Sequence, residues 1–164
     1  MEAGENVVLV GDLHGRTVGL LIPDWMRQPT LGYQPTKDPE GWGLKKQEIL
    51  LHEGVNVINV KKAGNVYVDY FADDPDTAPA VTIHFVTGKV NGYFDATVQS
   101  NEDWNRLLDN AVSPVMDVKG KYIQLAYPVE QLKKLTYGKG KELAENYDKV
   151  MQVQYDFSGA TKYN

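Results

Sequence analysis

Between Val81 and Ala111 the spacing of apolar residues changes from two to about 3.6, and this switch constrains the fold more than any other feature of the chain. Val81, Ile83 and Phe85 alternate with Thr82, His84 and Val86, the pattern of a strand with one buried face. Thr87-Gly88-Lys89 supplies a turn and Val90 to Phe94 a return, so a β-hairpin is predicted here. Ser100 then stands three residues before Asp103, the signature of a capping box. Trp104, Leu107, Leu108 and Ala111 follow at i, i+3, i+4 and i+7, so the hairpin is predicted to feed into an amphipathic helix.

Upstream, strand-like runs recur about every 8–12 residues with turn formers between them, as in an all-β sandwich. Val7–Val10 and Thr17–Ile22 flank the turn-rich Gly11–Arg16 and read as a second hairpin. Lys45–Leu51, Val55–Val60 and Val66–Phe71 continue the series, separated by His52-Glu53-Gly54 and Ala63-Gly64-Asn65. Pro23, Pro29, Pro35 and Pro39 break up the segment from Pro23 to Gly43, which reads as a long loop. It carries Trp25, Tyr33 and Trp42, candidates either to stack on a sugar ring or to fold back over the sandwich core. Downstream, Tyr122–Tyr127 reads as one last strand and Pro128 opens a short helix with Val129, Leu132 and Leu135 on one side. Lys141 to Gln154 reads as a final helix whose stripe is Leu143, Tyr147, Val150 and Met151.

The expected fold class is therefore α+β: a mainly antiparallel β-sandwich, jelly-roll-like, followed by two or three short helices. One domain is expected over 1–164, mainly sandwich to residue 98 and helices with one further strand over 99–164.

Bulk chemistry removes several functions. With 17 Lys and Arg against 22 Asp and Glu, the chain has no basic stripe of the kind that binds nucleic acid. It has no cysteine, which excludes disulfides, thiolate zinc sites and cysteine nucleophiles. No apolar run approaches the roughly 18 residues of a membrane span, and no basic segment followed by an apolar one marks a signal peptide at the N-terminus.

Three motifs suggest metal chemistry and fall short of it. Gly11-Asp12-Leu13-His14-Gly15 matches the opening of calcineurin-like metallophosphatases, yet the further blocks that complete a two-metal site are missing. His52-Glu53-Gly54-Val55-Asn56 departs from HExxH at its fifth position and has a glycine within it, so it reads as a turn. Asp73, Asp74 and Asp76 lack the glycine and distal glutamate of a calcium loop of EF-hand type. No GxSxG elbow occurs.

A series of blocks, in order, resembles peptidase family M60 (enhancin-like). Gly54-Val55-Asn56-Val57-Ile58 resembles its Gly-x-Asn-x-Ile turn, and Gly64–Tyr70 its Gly-x-x-Tyr-Ile strand. Val81–Phe85 with Val90-Asn91-Gly92-Tyr93-Phe94-Asp95 resembles its VxIHI and NGYFDL segments, and Asp103–Leu108 the Trp-containing helix that follows them. Gly120–Pro128 and Gly140–Asp148 resemble its GKyaxLxFP strand and GKELIxLYD helix. The resemblance implies a secreted or cell-surface zinc metallopeptidase of gut bacteria, acting on glycoproteins such as mucins. The family's HExxH helix follows these blocks and does not occur in this chain. No catalytic or metal residue carries over, and zinc is expected only in a downstream catalytic part. What remains resembles the region that shapes the substrate cleft. Its expected partners are an O-glycan or glycoprotein ligand and the catalytic portion of the same polypeptide, with Leu143, Tyr147, Val150 and Met151 as candidates for the surface between them. The alternative is a stand-alone carbohydrate-binding module using Trp25, Tyr33 or Trp42.

Overall fold

The computed structural model describes residues 1–24 and 45–160, and the chain divides into two compact units, Met1–Lys89 and Val90–Asn164. The first holds six strands among its described residues: β1 (Gly4–Val10), β2 (Val18–Pro23), β3 (Lys46–Leu50), β4 (Gly54–Val60), β5 (Tyr67–Tyr70) and β6 (Ile83–Phe85). They form two antiparallel sheets, ordered β4-β1-β6 and β3-β2-β5. Side chains alternate across each strand, so Val8, Val10, Ile58 and Val60 of one sheet meet Val18, Leu20 and Ile22 of the other in a single core.

The second unit runs β7 (Tyr93–Asp95), α1 (Asn101–Asp109), β8 (Val115–Lys119), β9 (Gln124–Pro128), α2 (Val129–Thr136) and α3 (Gly140–Ser158). Its sheet, ordered β7-β8-β9, pairs β7 parallel to β8 and β9 antiparallel to it. Phe94, Met116 and Val118 from the sheet enclose Trp104, Leu108, Leu132 and Ala144 from the helices. The class is α+β.

Three expectations of detail change. The runs around Gly11–Arg16 do not form a hairpin: β1 pairs with β4 and β6, and β2 with β3 and β5. Turn formers mark where a chain bends, not whether the flanking strands share a sheet or lie in facing layers. The predicted Val81–Phe94 hairpin is absent for a similar reason. β6 ends its sheet beside β1, and β7 joins a different sheet beside β8. The region after residue 98 holds two strands rather than one, because Val115–Lys119 is too short and mixed to stand out by its spacing.

Candidate functional site

The surface that stands out lies on α3, and its position follows from how the second unit is keyed together. Ser100 caps α1 through Asp103 N–H while the Asp103 carboxylate bonds back to Ser100, the predicted capping box. Trp104 is then fully buried, its ring 4.9 Å from that of Phe94 and its Nε1 donating to the Thr136 carbonyl at 2.8 Å. Gly140, the first residue of α3, lies directly against the indole, where a β-carbon would overlap the ring. Lys141 N–H donates to Asn101 Oδ1 at 2.9 Å and fixes the start of the helix. Two turns on, the Asp148 carboxylate accepts the N–H groups of Lys121 and Tyr122, and its oxygens leave no space for a side chain at Gly120.

These contacts settle which face of α3 turns inward. Ala144 is buried, the Tyr147 hydroxyl lies 2.6 Å from that of Tyr127, and Tyr155 meets Tyr122 edge-on. The shared hydroxyl bond raises the Tyr127 pKa above its ordinary value. Nearby, the Asp95 carboxylate accepts from the hydroxyl and N–H of Thr97 and from the Lys119 ammonium. The Thr97 hydroxyl bond first, then that of Lys119, lowers its pKa to about 2.

Among the described residues the opposite face of α3 has no such hydrogen-bond or ring partners. Leu143, Val150 and Phe157 recur seven residues apart, with Val153 between them, which places all four in one stripe along the helix. Leu143 is half-buried against the core at its edge, whereas Val150 is 54% exposed, Val153 67% and Phe157 93%. Such a stripe is what one helix offers to another apolar surface, at about 1.5–3 kcal/mol for each large side chain fully covered. Of the four predicted surface residues, Val150 thus lies in the open stripe and Leu143 at its inner end. Tyr147 and Met151 are half-buried, and the Tyr147 hydroxyl meets Tyr127 of the unit's own sheet. Val153 and Phe157 were missed because the helix was expected to stop at Gln154 and instead reaches Ser158.

The remaining motifs are structural. Asp12 Oδ1 accepts from His14 N–H, and Glu53 Oε1 from Leu13 N–H, so Gly11–Gly15 is a braced turn. The Asn56 side chain bonds the backbone of His52 twice and of Gly54 once. It holds a turn in which Gly54 takes φ 88, a conformation that disfavours any side chain. Among the described residues no group of three or more His, Asp or Glu is placed to hold a metal ion. Trp25, Tyr33 and Trp42 lie outside the described residues.

Comparison with known proteins agrees with this division. Residues 89–164 match the family profile of peptidase M60, enhancin and enhancin-like. No curated protein matches the chain. Among solved structures, a metallopeptidase from Bacteroides thetaiotaomicron has 22% identity and a TM-score of 0.73, covering 95% of this chain and 26% of that one. A metallopeptidase in complex with Tn antigen gives 22% and 0.70, over 95% and 28% of the two chains. The M60 catalytic domain of Clostridium perfringens ZmpC, in complex with the sialyl T antigen, gives 14% and 0.64, over 96% and 33%. At these identities the structural likeness establishes the fold. The chain spans about a quarter to a third of the length of the solved structures it matches. No helix among its described residues is long and apolar enough to cross a membrane.

Proposed function

We propose that this chain is the non-catalytic N-terminal part of an M60-like zinc metallopeptidase acting on O-glycosylated proteins at or outside the cell surface. The observation that carries this reading is the coverage: 95% of this chain matches 26% of a metallopeptidase with a TM-score of 0.73, while the sequence contains no HExxH. The glycoprotein substrate is supported by two matched metallopeptidase structures, whose complexes are with the Tn and sialyl T antigens. In this reading zinc and the catalytic groups sit in the remainder of the polypeptide, and the α3 stripe is where that remainder packs.

Reading the coding sequence beyond Asn164 in its native source tests it, and an HExxH motif downstream is the expected result. A stop codon in its place overturns the reading and moves a stand-alone glycan-binding module into first position, with Trp25, Tyr33 and Trp42 as its platforms. The isolated chain should bind an environment-sensitive apolar dye, and Phe157→Asp with Val150→Asp should reduce that binding. It should not cleave a mucin-type glycopeptide in the presence of zinc; cleavage by this chain alone also overturns the reading.

A further inference from the structure

Strand β4 is the outer strand of the sheet β4-β1-β6, and its sequence GVNVINV contains neither a charge nor a proline. Soluble proteins usually guard an edge of that length with lysine, proline or a bulge. The hydrogen bonds show which of its backbone groups face away from β1. Val7 N–H donates to Thr87 Oγ1 and the Val7 carbonyl accepts from Val86 N–H, so both groups of Val7 turn toward β6. Val57 lies opposite Val7, and in an antiparallel ladder the groups of such a pair point away from each other. The N–H and C=O of Val57 therefore face away from β1, and by alternation so do those of Val55 and Asn59.

At Asn59 this edge is already closed. Gln47 Nε2 donates to the Asn59 carbonyl at 2.7 Å and Gln47 Oε1 accepts from Lys61 N–H at 2.9 Å, so one side-chain amide stands in for a neighbouring strand. No described residue does the same for Val55 and Val57. Their side chains stand on the outer face of the sheet, 60% and 65% exposed, beside the exposed Leu9 and Val86.

We propose that β4 pairs antiparallel with β4 of a second copy of this chain, about a two-fold axis at Asn56. Val55-Asn56-Val57 reads the same in both directions, so each Val55 meets the other copy's Val57. The four N–H and four C=O groups of these valines then form four hydrogen bonds across the axis. The register uses the length that Gln47 leaves open and displaces none of its bonds. An axis perpendicular to the sheet keeps both outer faces on one side, so the two Leu9, Val55, Val57 and Val86 patches become continuous. The uncharged strand gives a charged partner nothing to recognise, whereas valine opposite valine is a favourable cross-strand pair. The contact is small, and the dimer belongs with weak, concentration-dependent associations.

Sedimentation velocity of the full chain at rising concentration, with hydrogen exchange at the Val55 and Val57 amides, tests this. The expected result is a mass rising toward that of a dimer while those two amides slow. Val55→Lys with Val57→Lys sets like charges opposite each other and should weaken association about tenfold or more. A monomer at every concentration overturns the proposal, as do Val55 and Val57 amides whose exchange is independent of concentration, a readout of the parent chain that stands even where the lysine variant unfolds. Association that survives the lysines and is lost in Phe157→Asp also overturns it, by assigning the contact to α3, and leaves the proposed function intact.

Discussion

The two units of this chain bury their apolar residues in different ways. The first encloses Val8, Val10, Leu13, Val18, Leu20, Ile22, Leu51, Ile58 and Val60, all aliphatic, between two sheets. The second is built around one indole, with Phe94 on one side, a helix-opening glycine on another and the Thr136 carbonyl at its nitrogen. Cores of interchangeable aliphatics accept exchange among Val, Ile and Leu when volume is kept. A tryptophan that demands a glycine beside it and a carbonyl at a fixed point accepts very little. This difference gives a physical reason why the family profile begins at residue 89, next to the boundary at Val90, while the structural likeness covers 95% of the chain.

The comparison can be broken first at Trp104. Trp104→Ala should cost about 3–5 kcal/mol in urea unfolding of the second unit, from the lost indole and the cavity left behind. Gly140→Ala approaches the same ring from the other side and should cost about 1–3 kcal/mol by overpacking, with the near-ultraviolet signal of Trp104 altered. Ile58→Val, also a buried change but in the aliphatic core, should cost only about 0.5–1.5 kcal/mol. If Ile58→Val proves as damaging as Gly140→Ala, the contrast between the two cores is wrong.

Acid sharpens the contrast, because the shifted carboxylate among the core residues belongs to the second unit. Asp95 has its pKa lowered to about 2 in the folded chain, so its ionised form stabilises the fold above its ordinary pKa near 3.8. That contribution is lost as pH falls through about 2, since both states then carry the proton. Urea midpoints measured across this window should fall for the parent chain and fall less for Asp95→Asn. The smallest effect is expected on the open stripe. Val150→Asp should change stability by no more than about 0.5 kcal/mol, because the side chain is over half exposed. A larger loss would mean that the stripe is already covered in solution.

Several elements were legible without coordinates. The capping box at Ser100 and Asp103 and the stripe containing Trp104 and Leu108 appear in the structure as read, whereas the strand expected from Val81 is shortened to Ile83–Phe85 and leaves Phe85 exposed. Each is local, set by spacing within one element. The roles of the glycines were not legible. Gly120 and Gly140 look like ordinary turn residues, and only the approach of the Asp148 carboxylate and the Trp104 ring shows why no side chain fits. The spacing within α3 was legible through Leu143 and Val150, but Val153 and Phe157 were not included because the helix runs on to Ser158.

The sequence by itself determined the element types over most of the described chain, the capped start of α1 and the absence of an HExxH zinc motif, because periodicity, capping chemistry and ligand types are properties of short stretches. Only the tertiary structure decided that β1 and β2 lie in facing sheets, that β6 and β7 part company, and that β4 is the outer strand of its sheet among the described residues, with the backbone groups of two valines facing outward. Strand pairing joins residues far apart in the chain through backbone groups that every residue carries. No side-chain pattern announces which edge will be filled.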